Sequence, residues 1–504
     1  KADAAEALAR GSVETARSIY EVAVETFPGK KSLWVLYAKL EGDSGNALKM
    51  DAVLKRAVKR CPRAVVLWLM AAKALWRRGD VSGARAVLEE SFAANPDSED
   101  IWLAAFKLEF ESRQIERARA LLLKAREKAA ESSTPSSGSL KSAGERVYLK
   151  SAVVEREAGD VHAERALITE GLERHGNVSW KLWLMLGQLE RRVGAFDAAR
   201  DAYAKGTRRV PECAFLWIEL AALETSLGNH HKARAVLEQA RLRQSAFGNT
   251  ESGTETHGTV SERNGENTDM SAKERLWLAS IRRERGDAFC FSAPFFCDEL
   301  GRLKALAENS AGVVVPVSST KAPSFGRFGD ETVPSQGDTV NGTQKSTFDR
   351  DACLSASDAL AALALRECPD SGALWAERVL SASRPQRKSR SVDALKRCGD
   401  DAKVVAAVAR LFWLDRKLDK ARAWFHRATT LDSSDGDLWG SFYAFEKRHG
   451  DEKKREDVKM KCVAAAPRRG DFWCAARKDP KRWHDPIESV LERVAELVPG
   501  GEDR

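Results

Sequence analysis

The sequence predicts an all-α protein, a right-handed α-α superhelix built from about eleven stacked helical hairpins. Three observations predict it. Aromatic residues recur every 34 residues, proline and glycine punctuate the interval at fixed offsets, and nothing along the 504 residues alternates as a strand would. The period is carried by Trp34, Trp68 and Trp102, then Trp183 and Trp217, then Trp439 and Trp473. A period of this size marks a two-helix unit that buries its apolar face only by stacking on its neighbours.

Each position of the unit has its own physical role. Proline stands six residues before the aromatic at Pro28, Pro62, Pro96, Pro211, Pro369 and Pro467, where it ends the preceding helix because it cannot continue one. The aromatic residue opens the first helix and is expected to fill the core between helices. Glutamate follows at plus seven (Glu41, Glu109, Glu190, Glu224, Glu284, Glu446), two turns on and so on the same helix face. Glycine at plus eleven (Gly45, Gly79, Gly194, Gly228, Gly450) stops that helix and turns the chain. Ala-Arg follows at plus sixteen and seventeen in Ala84-Arg85, Ala118-Arg119, Ala199-Arg200 and Ala233-Arg234, the small residue letting the second helix approach the first.

The same frame finds units without tryptophan. Tyr148 has Glu155, Gly159 and Arg165 at the expected offsets, and Val405 has Ala421-Arg422 and lies 34 residues before Trp439. The repeat positions are therefore Trp34, Trp68, Trp102, Tyr148, Trp183, Trp217, Trp277, Trp375, Trp439 and Trp473, with Val405 a degenerate member. Three stretched intervals mark insertions: 46 residues from Trp102 to Tyr148, 60 from Trp217 to Trp277 and 98 from Trp277 to Trp375. The expected organisation is repeats over 1–130, a disordered insertion over 131–145, repeats over 146–243 and a second disordered insertion over 244–271. The first helix of an interrupted repeat follows over 272–286, then a long insertion over 287–351 and basic C-terminal repeats over 352–498. The long insertion carries an apolar patch from Phe289 to Phe296, expected to pack back on the array or to bind a partner. The chain opens on Lys-Ala-Asp inside a repeat, and is expected to be a piece of something longer.

Composition argues for binding and against catalysis. Charged residues make up 31% and hydrophobic ones 43%, and no run reaches the length of a membrane span. Nine cysteines are scattered without C-x-x-C spacing, as expected of reduced, packed thiols in a cytosolic or nuclear protein. No phosphate-binding glycine loop or zinc-type H-E-x-x-H occurs, the pair His230-His231 falls at an expected turn, and His426 reads as a packing residue on a helix. No nucleophile, base and oxyanion donor converge, so neither catalytic residues nor a cofactor nor a metal site is expected. Trp76 and Trp180 lie off the repeat position and are better placed for surface contact.

Charge supplies the one functional asymmetry. From Arg384 to Trp483 there are 26 Lys plus Arg against 15 Asp plus Glu, a net of +11, while the whole chain carries +8. One cluster is Arg384, Arg387, Lys388 and Arg390 in an expected loop. A second is Lys447, Arg448, Lys453, Lys454 and Arg455 around the turn at Gly450, and Arg468 and Arg469 follow. These residues are the candidates for contact with an acidic protein surface or an RNA backbone.

The unit Trp-x6-Glu, then Ala-Arg, then a closing Pro resembles the half-a-TPR (HAT) repeat, a variant of the tetratricopeptide repeat found largely in RNA-processing proteins. Five stretches are similar to one HAT family in particular, whose members belong to the U5 small nuclear ribonucleoprotein: LWLMAAK (67–73), NPDSEDIWLA (95–104), RPQRKSRSVDALKRC (384–398), LFWLDRKLDKARAWFHR (411–427) and DLWGSFYAFEKRHG (437–450). The resemblance implies a nuclear, non-enzymatic scaffold of the pre-mRNA splicing machinery that bridges the U5 and U4/U6 particles in the U4/U6.U5 tri-snRNP. Its implied partners are U4/U6-associated proteins, the large U5 scaffold protein and the U5 helicase; the charge of the basic C-terminal third adds snRNA as a candidate contact. Two alternatives stand beside it: a solenoid that binds RNA directly, and a HAT scaffold of messenger RNA 3′-end formation or ribosomal RNA processing.

Overall fold

A computed structural model of the chain describes residues 2–131, 144–248, 271–285, 350–477 and 485–498. Among them are 24 α-helices that pair as twelve antiparallel hairpins, close to the expected eleven. The sole extended pairing among the described residues is an isolated bridge between Asp435 and Arg469. No helix there is long and apolar enough to cross a membrane. The chain divides into two compact units, Lys1–Val210 and Pro211–Arg504. In each hairpin we call the first helix A and the second B.

The first unit stacks six hairpins. They are Ala2–Ala9 with Val13–Thr26, Lys31–Asp43 with Ala47–Arg60, Val65–Arg77 with Val81–Ala94, Glu99–Glu111 with Ile115–Glu131, Glu145–Ala158 with Val161–His175, and Trp180–Val193 with Phe196–Arg209. Its core is continuous across repeats: Tyr20, Trp34, Tyr37, Leu54, Leu67 and Trp68 form one cluster drawn from three successive hairpins. The alanine at plus sixteen sits at the tightest point, with Ala16, Ala84 and Ala118 each 0% exposed. A larger side chain there would have no void to enter.

The second unit also holds six: Ala214–Ser226 with His230–Gly248, Ala272–Arg285 with Arg350–Glu367, Gly372–Ser381 with Arg387–Cys398, Ala402–Leu414 with Leu418–Leu431, Gly436–His449 with Glu452–Ala465, and Asp471–Arg477 with Ile487–Leu497. Trp277 and Ile281 pack on Ala361, Ala364 and Leu365, so the two helices of the interrupted repeat close a hairpin. The last helix seats Val490, Leu491 and Val494 against Trp439, Phe442 and Tyr443. A Cβ on Gly440 would lie 2.3 Å from Val494 Cγ1, so the A helix needs glycine where this helix crosses it.

The plus-eleven position is a conformational requirement before it is a glycine. Gly45, Gly79, Gly159, Gly194 and Gly228 have φ between 73° and 90°, the left-handed turn that ends an A helix. Arg113 and Arg416 occupy the same offset from Trp102 and Val405 and adopt φ of 58° and 56° despite their side chains. Gly450 departs from the expectation, with φ −101° and ψ 159°. There Arg455 donates to the carbonyls of Glu446 and Gly450 at 3.3 and 3.1 Å, satisfying the helix end that a left-handed turn satisfies elsewhere.

The apolar patch Phe289–Phe296 and nearly all of the three insertions lie outside the described residues.

Candidate functional site

The periodic polar residues bind the repeats to one another. Arg at plus seventeen of one unit forks onto Glu at plus seven of the next: Arg85 reaches Glu109 at 2.6 and 3.0 Å, Arg119 reaches Glu155 at 3.0 and 2.7 Å, and Arg165 reaches Glu190 at 2.6 and 2.9 Å. Arg17–Glu41, Arg234–Glu284 and Arg422–Glu446 repeat the geometry. Two parallel charge-assisted bonds onto a buried carboxylate fix the register of one hairpin on the next. The hydrogen bond that Arg85 donates to Glu109 raises the affinity of the guanidinium for its proton. Sequence reading had both residues of this ladder and missed that they meet.

A second periodic clasp joins the aromatic to the proline. The indole N–H of Trp34, Trp68, Trp102, Trp217 and Trp375 donates to the carbonyl six residues upstream at Pro28, Pro62, Pro96, Pro211 and Pro369, at 2.8 to 3.1 Å. Trp439 uses Ser433, Trp183 uses Gly176, and Trp277 turns to Glu367 at 3.0 Å. Trp473 is fully buried, yet its N–H finds no partner among the described residues; the Arg468–Arg469 segment before it bonds to the backbone of Ser434 and Gly436. Tyr148 donates to Glu170 at 2.7 Å, and burial with that bond pushes its phenol up to about 12. Trp102, Trp183 and Trp375 are half-buried, as are the off-period Trp76 and Trp180.

The basic candidates divide into residues the fold uses and residues it leaves facing water. Arg384 opens a short 3-10 turn, and Arg387, Lys388 and Arg390 lie on the helix Arg387–Cys398, where a loop was expected. Proline at the first turn suits such a start, since its missing N–H has no partner there. Arg390 pairs with Asp358 at 3.2 Å, and Arg387 donates to Ala382. Lys447 meets Glu496 at 3.5 Å, Arg448 lies over the Trp413 ring, and Lys454 meets Asp451 at 3.3 Å. Arg455 closes the Gly450 turn, and Arg469 binds Asp432 and Ser434 at 3.2 and 2.8 Å. Arg384, Lys388, Lys453 and Arg468 are exposed and make no ion pair among the described residues, while Lys447, Arg448 and Lys454 are exposed beside their partners.

Beside this surface lies a buried acidic cap. Asp437 accepts the backbone N–H groups of Asp471, Phe472 and Trp473 at 2.7, 3.2 and 2.8 Å, while Asp435 accepts that of Asp437 at 2.9 Å. Burial, and then the neighbouring acid charges, push the Asp437 carboxyl well above the usual carboxylate range. Glu377 is the opposite case. Its burial is outweighed by Arg285 and Arg282, which hold its carboxyl well below that range.

No group of three or more ligating side chains gathers as a metal site would among the described residues. His230 and His231 begin the helix His230–Gly248 instead of lying in a turn. His426 is exposed on the rim of a 350 Å³ groove with Arg422, Phe442 and Glu446. An equivalent 280 Å³ groove of the first unit has Arg119, Leu123, Ser151 and Glu155 at the same repeat positions. The six described cysteines are free thiols, and burial pushes that of Cys462 up to about 12.

Comparison with known proteins agrees with this construction. The tetratricopeptide repeat family model matches residues 65–108 and 180–223. The chain is 50% identical over 113 residues to pre-mRNA-processing factor 6 of Homo sapiens, covering 22% of this chain and 12% of that protein. It is 48% identical over 117 residues to Protein STABILIZED1 of Arabidopsis thaliana, covering 23% and 11%. It is 29% identical over 318 residues to pre-mRNA-splicing factor prp1 of Schizosaccharomyces pombe, covering 63% and 25%. The matched segments thus span a quarter or less of these curated relatives. The chain thus carries tetratricopeptide-type repeats and is similar, over the matched segments, to pre-mRNA-processing and pre-mRNA-splicing factors.

Proposed function

We propose that this chain is a non-enzymatic scaffold of the pre-mRNA splicing machinery, acting in the nucleus. On this reading it bridges the U5 and U4/U6 particles of the U4/U6.U5 tri-snRNP through its repeats. The observation that carries the reading is the 50% identity to a pre-mRNA-processing factor. The architecture supports it: the periodic residues are consumed in holding the stack together, leaving long helix faces for partners. U4/U6-associated proteins, the large U5 scaffold protein and the U5 helicase are the partners we assign to those faces. Immobilised full chain in nuclear extract, washed and probed by hybridisation, should retain U4, U5 and U6 RNAs together. Retention of none of them sinks the splicing assignment, and retention of U5 alone sinks the bridge.

A second reading, direct RNA contact, rests on Arg384, Lys388, Lys453 and Arg468, four exposed cations that make no ion pair among the described residues. Phosphate contacts release counterions, so affinity for an oligoribonucleotide would fall linearly with salt on logarithmic axes. Changing Lys453 and Arg468 to Glu would flatten that slope. Absence of binding at low salt dismisses this reading.

A further inference from the structure

One periodic position on the first unit lies outside both the arginine–glutamate ladder and the tryptophan clasps. Lys39, Lys73 and Lys107 each stand five residues after the aromatic of consecutive A helices, 34 residues apart. Those helices, Lys31–Asp43, Val65–Arg77 and Glu99–Glu111, lie side by side, so one offset repeated in each forms a column across them. All three lysines are exposed, while Leu36, Met70 and Ala104, three positions earlier and on the same face, are half-buried. No acid among the described residues reaches Lys39 or Lys73, whereas Lys107 lies 3.6 Å from Glu111 and 5.4 Å over the Trp76 ring. Asp43, Arg77 and Glu111 stand one turn further along each helix, so the strip keeps a positive balance. It ends at the next repeat, where Val153 takes the offset.

We propose that this strip is a docking site for an extended acidic peptide segment of a partner protein. Packed helices lie about 8–10 Å apart. A polyproline-II segment rises about 3.1 Å per residue with three residues per turn, so an acid at every third position returns to the same face and meets successive lysines. The residues between those acids lie along the aliphatic column of Leu36, Met70 and Ala104. A nucleic acid is the poorer fit, because single strands are held by base stacking on flat rings and this column is aliphatic. The proposal goes beyond the scaffold reading and does not depend on which particle the chain serves.

The test is fluorescence anisotropy on the full chain with three labelled probes. One is a peptide with Glu at every third position and Leu before each Glu. The second has the same composition with its glutamates clustered, and the third is an oligouridylate. The chain should bind the spaced peptide more tightly than the clustered one. Lys39→Glu, Lys73→Glu and Lys107→Glu together should weaken the spaced peptide on the order of tenfold or more, with a smaller loss for the three Lys→Gln changes. Far-UV circular dichroism should stay unchanged, since all three side chains face water. Equal binding of the two peptides, or an unchanged affinity in both triple variants, overturns the proposal. Loss of oligouridylate alone in those variants overturns it in favour of RNA. Failure to capture the small nuclear RNAs would remove the splicing assignment and leave this binding intact.

Discussion

Removing Arg85 should cost more than removing Glu109, although the two share one pair of bonds. In the Arg85–Glu109 pair the arginine side chain is 31% exposed and the glutamate 6%. Arg85→Ala leaves a buried carboxylate with no countercharge. Breaking a wholly buried pair this way costs about 3–5 kcal/mol. Water at the arginine end lowers that here to roughly 2–3 kcal/mol. Glu109→Ala leaves an arginine that swings into solvent, a loss of about 1 kcal/mol. The double variant should then cost less than the sum, with a coupling of about 1–2 kcal/mol. A repeat array need not unfold in one step, so the assay is hydrogen exchange of peptides from Val81–Ala94 and Glu99–Glu111. Equal protection losses in the two single variants, or a loss under roughly 0.5 kcal/mol for Arg85→Ala, would refute the view that this ladder joins the hairpins.

Three further perturbations test the frame elsewhere. Arg416→Gly should stabilise its turn by about 1 kcal/mol, because glycine adopts the left-handed φ of 56° without strain, measurable as increased exchange protection at the end of Ala402–Leu414. Gly440→Ala should cost about 1–3 kcal/mol by pushing on Val494, and deuterium uptake in Ile487–Leu497 should rise first. Asp435→Asn keeps an acceptor for the Asp437 N–H and removes a charge that burial disfavours. Because the Asp435 carboxyl is raised in the folded chain, its ionisation costs stability in full above that folded pKa, and the cost fades to nothing only below the unfolded value. The substitution should therefore raise the melting temperature near neutral pH, with the gain shrinking as the pH falls from the raised folded pKa towards the ordinary carboxylate range; a pH-independent difference contradicts this.

Much of the fold was legible because each periodic residue answers a local demand. Proline, glycine and alanine are readable one at a time, since helix ends, left-handed turns and tight crossings constrain single positions. The ladder is a relation between units and needed two periods read together. Arg17–Glu41, Arg85–Glu109 and Arg422–Glu446 all lie 24 residues apart in sequence, and that constant offset between opposite charges was the available signal. The exceptions carry the same message: where the arginine place holds Asp51 or Val392, the glutamate place of the following unit holds Leu75 or Phe412. Each partner is absent where the other is. The basic C-terminal cluster was less legible, because sequence counts charges and says nothing of who neutralises them. Arg455 ends a helix, Arg469 braces a linker, and Arg390 serves Asp358, which leaves a smaller exposed set than composition suggested.

On this account the residues of the ladder and the tryptophan clasps build the array, and exposed residues outside those contacts choose its partners in a splicing particle. Crosslinking mass spectrometry on particles purified through the tagged full-length protein tests it most directly. Crosslinks should run from exposed lysines outside the stacking contacts, such as Lys39, Lys73, Lys388 and Lys453, to proteins of both the U5 and the U4/U6 particles. Recovery of crosslinks to proteins of neither particle would contradict it.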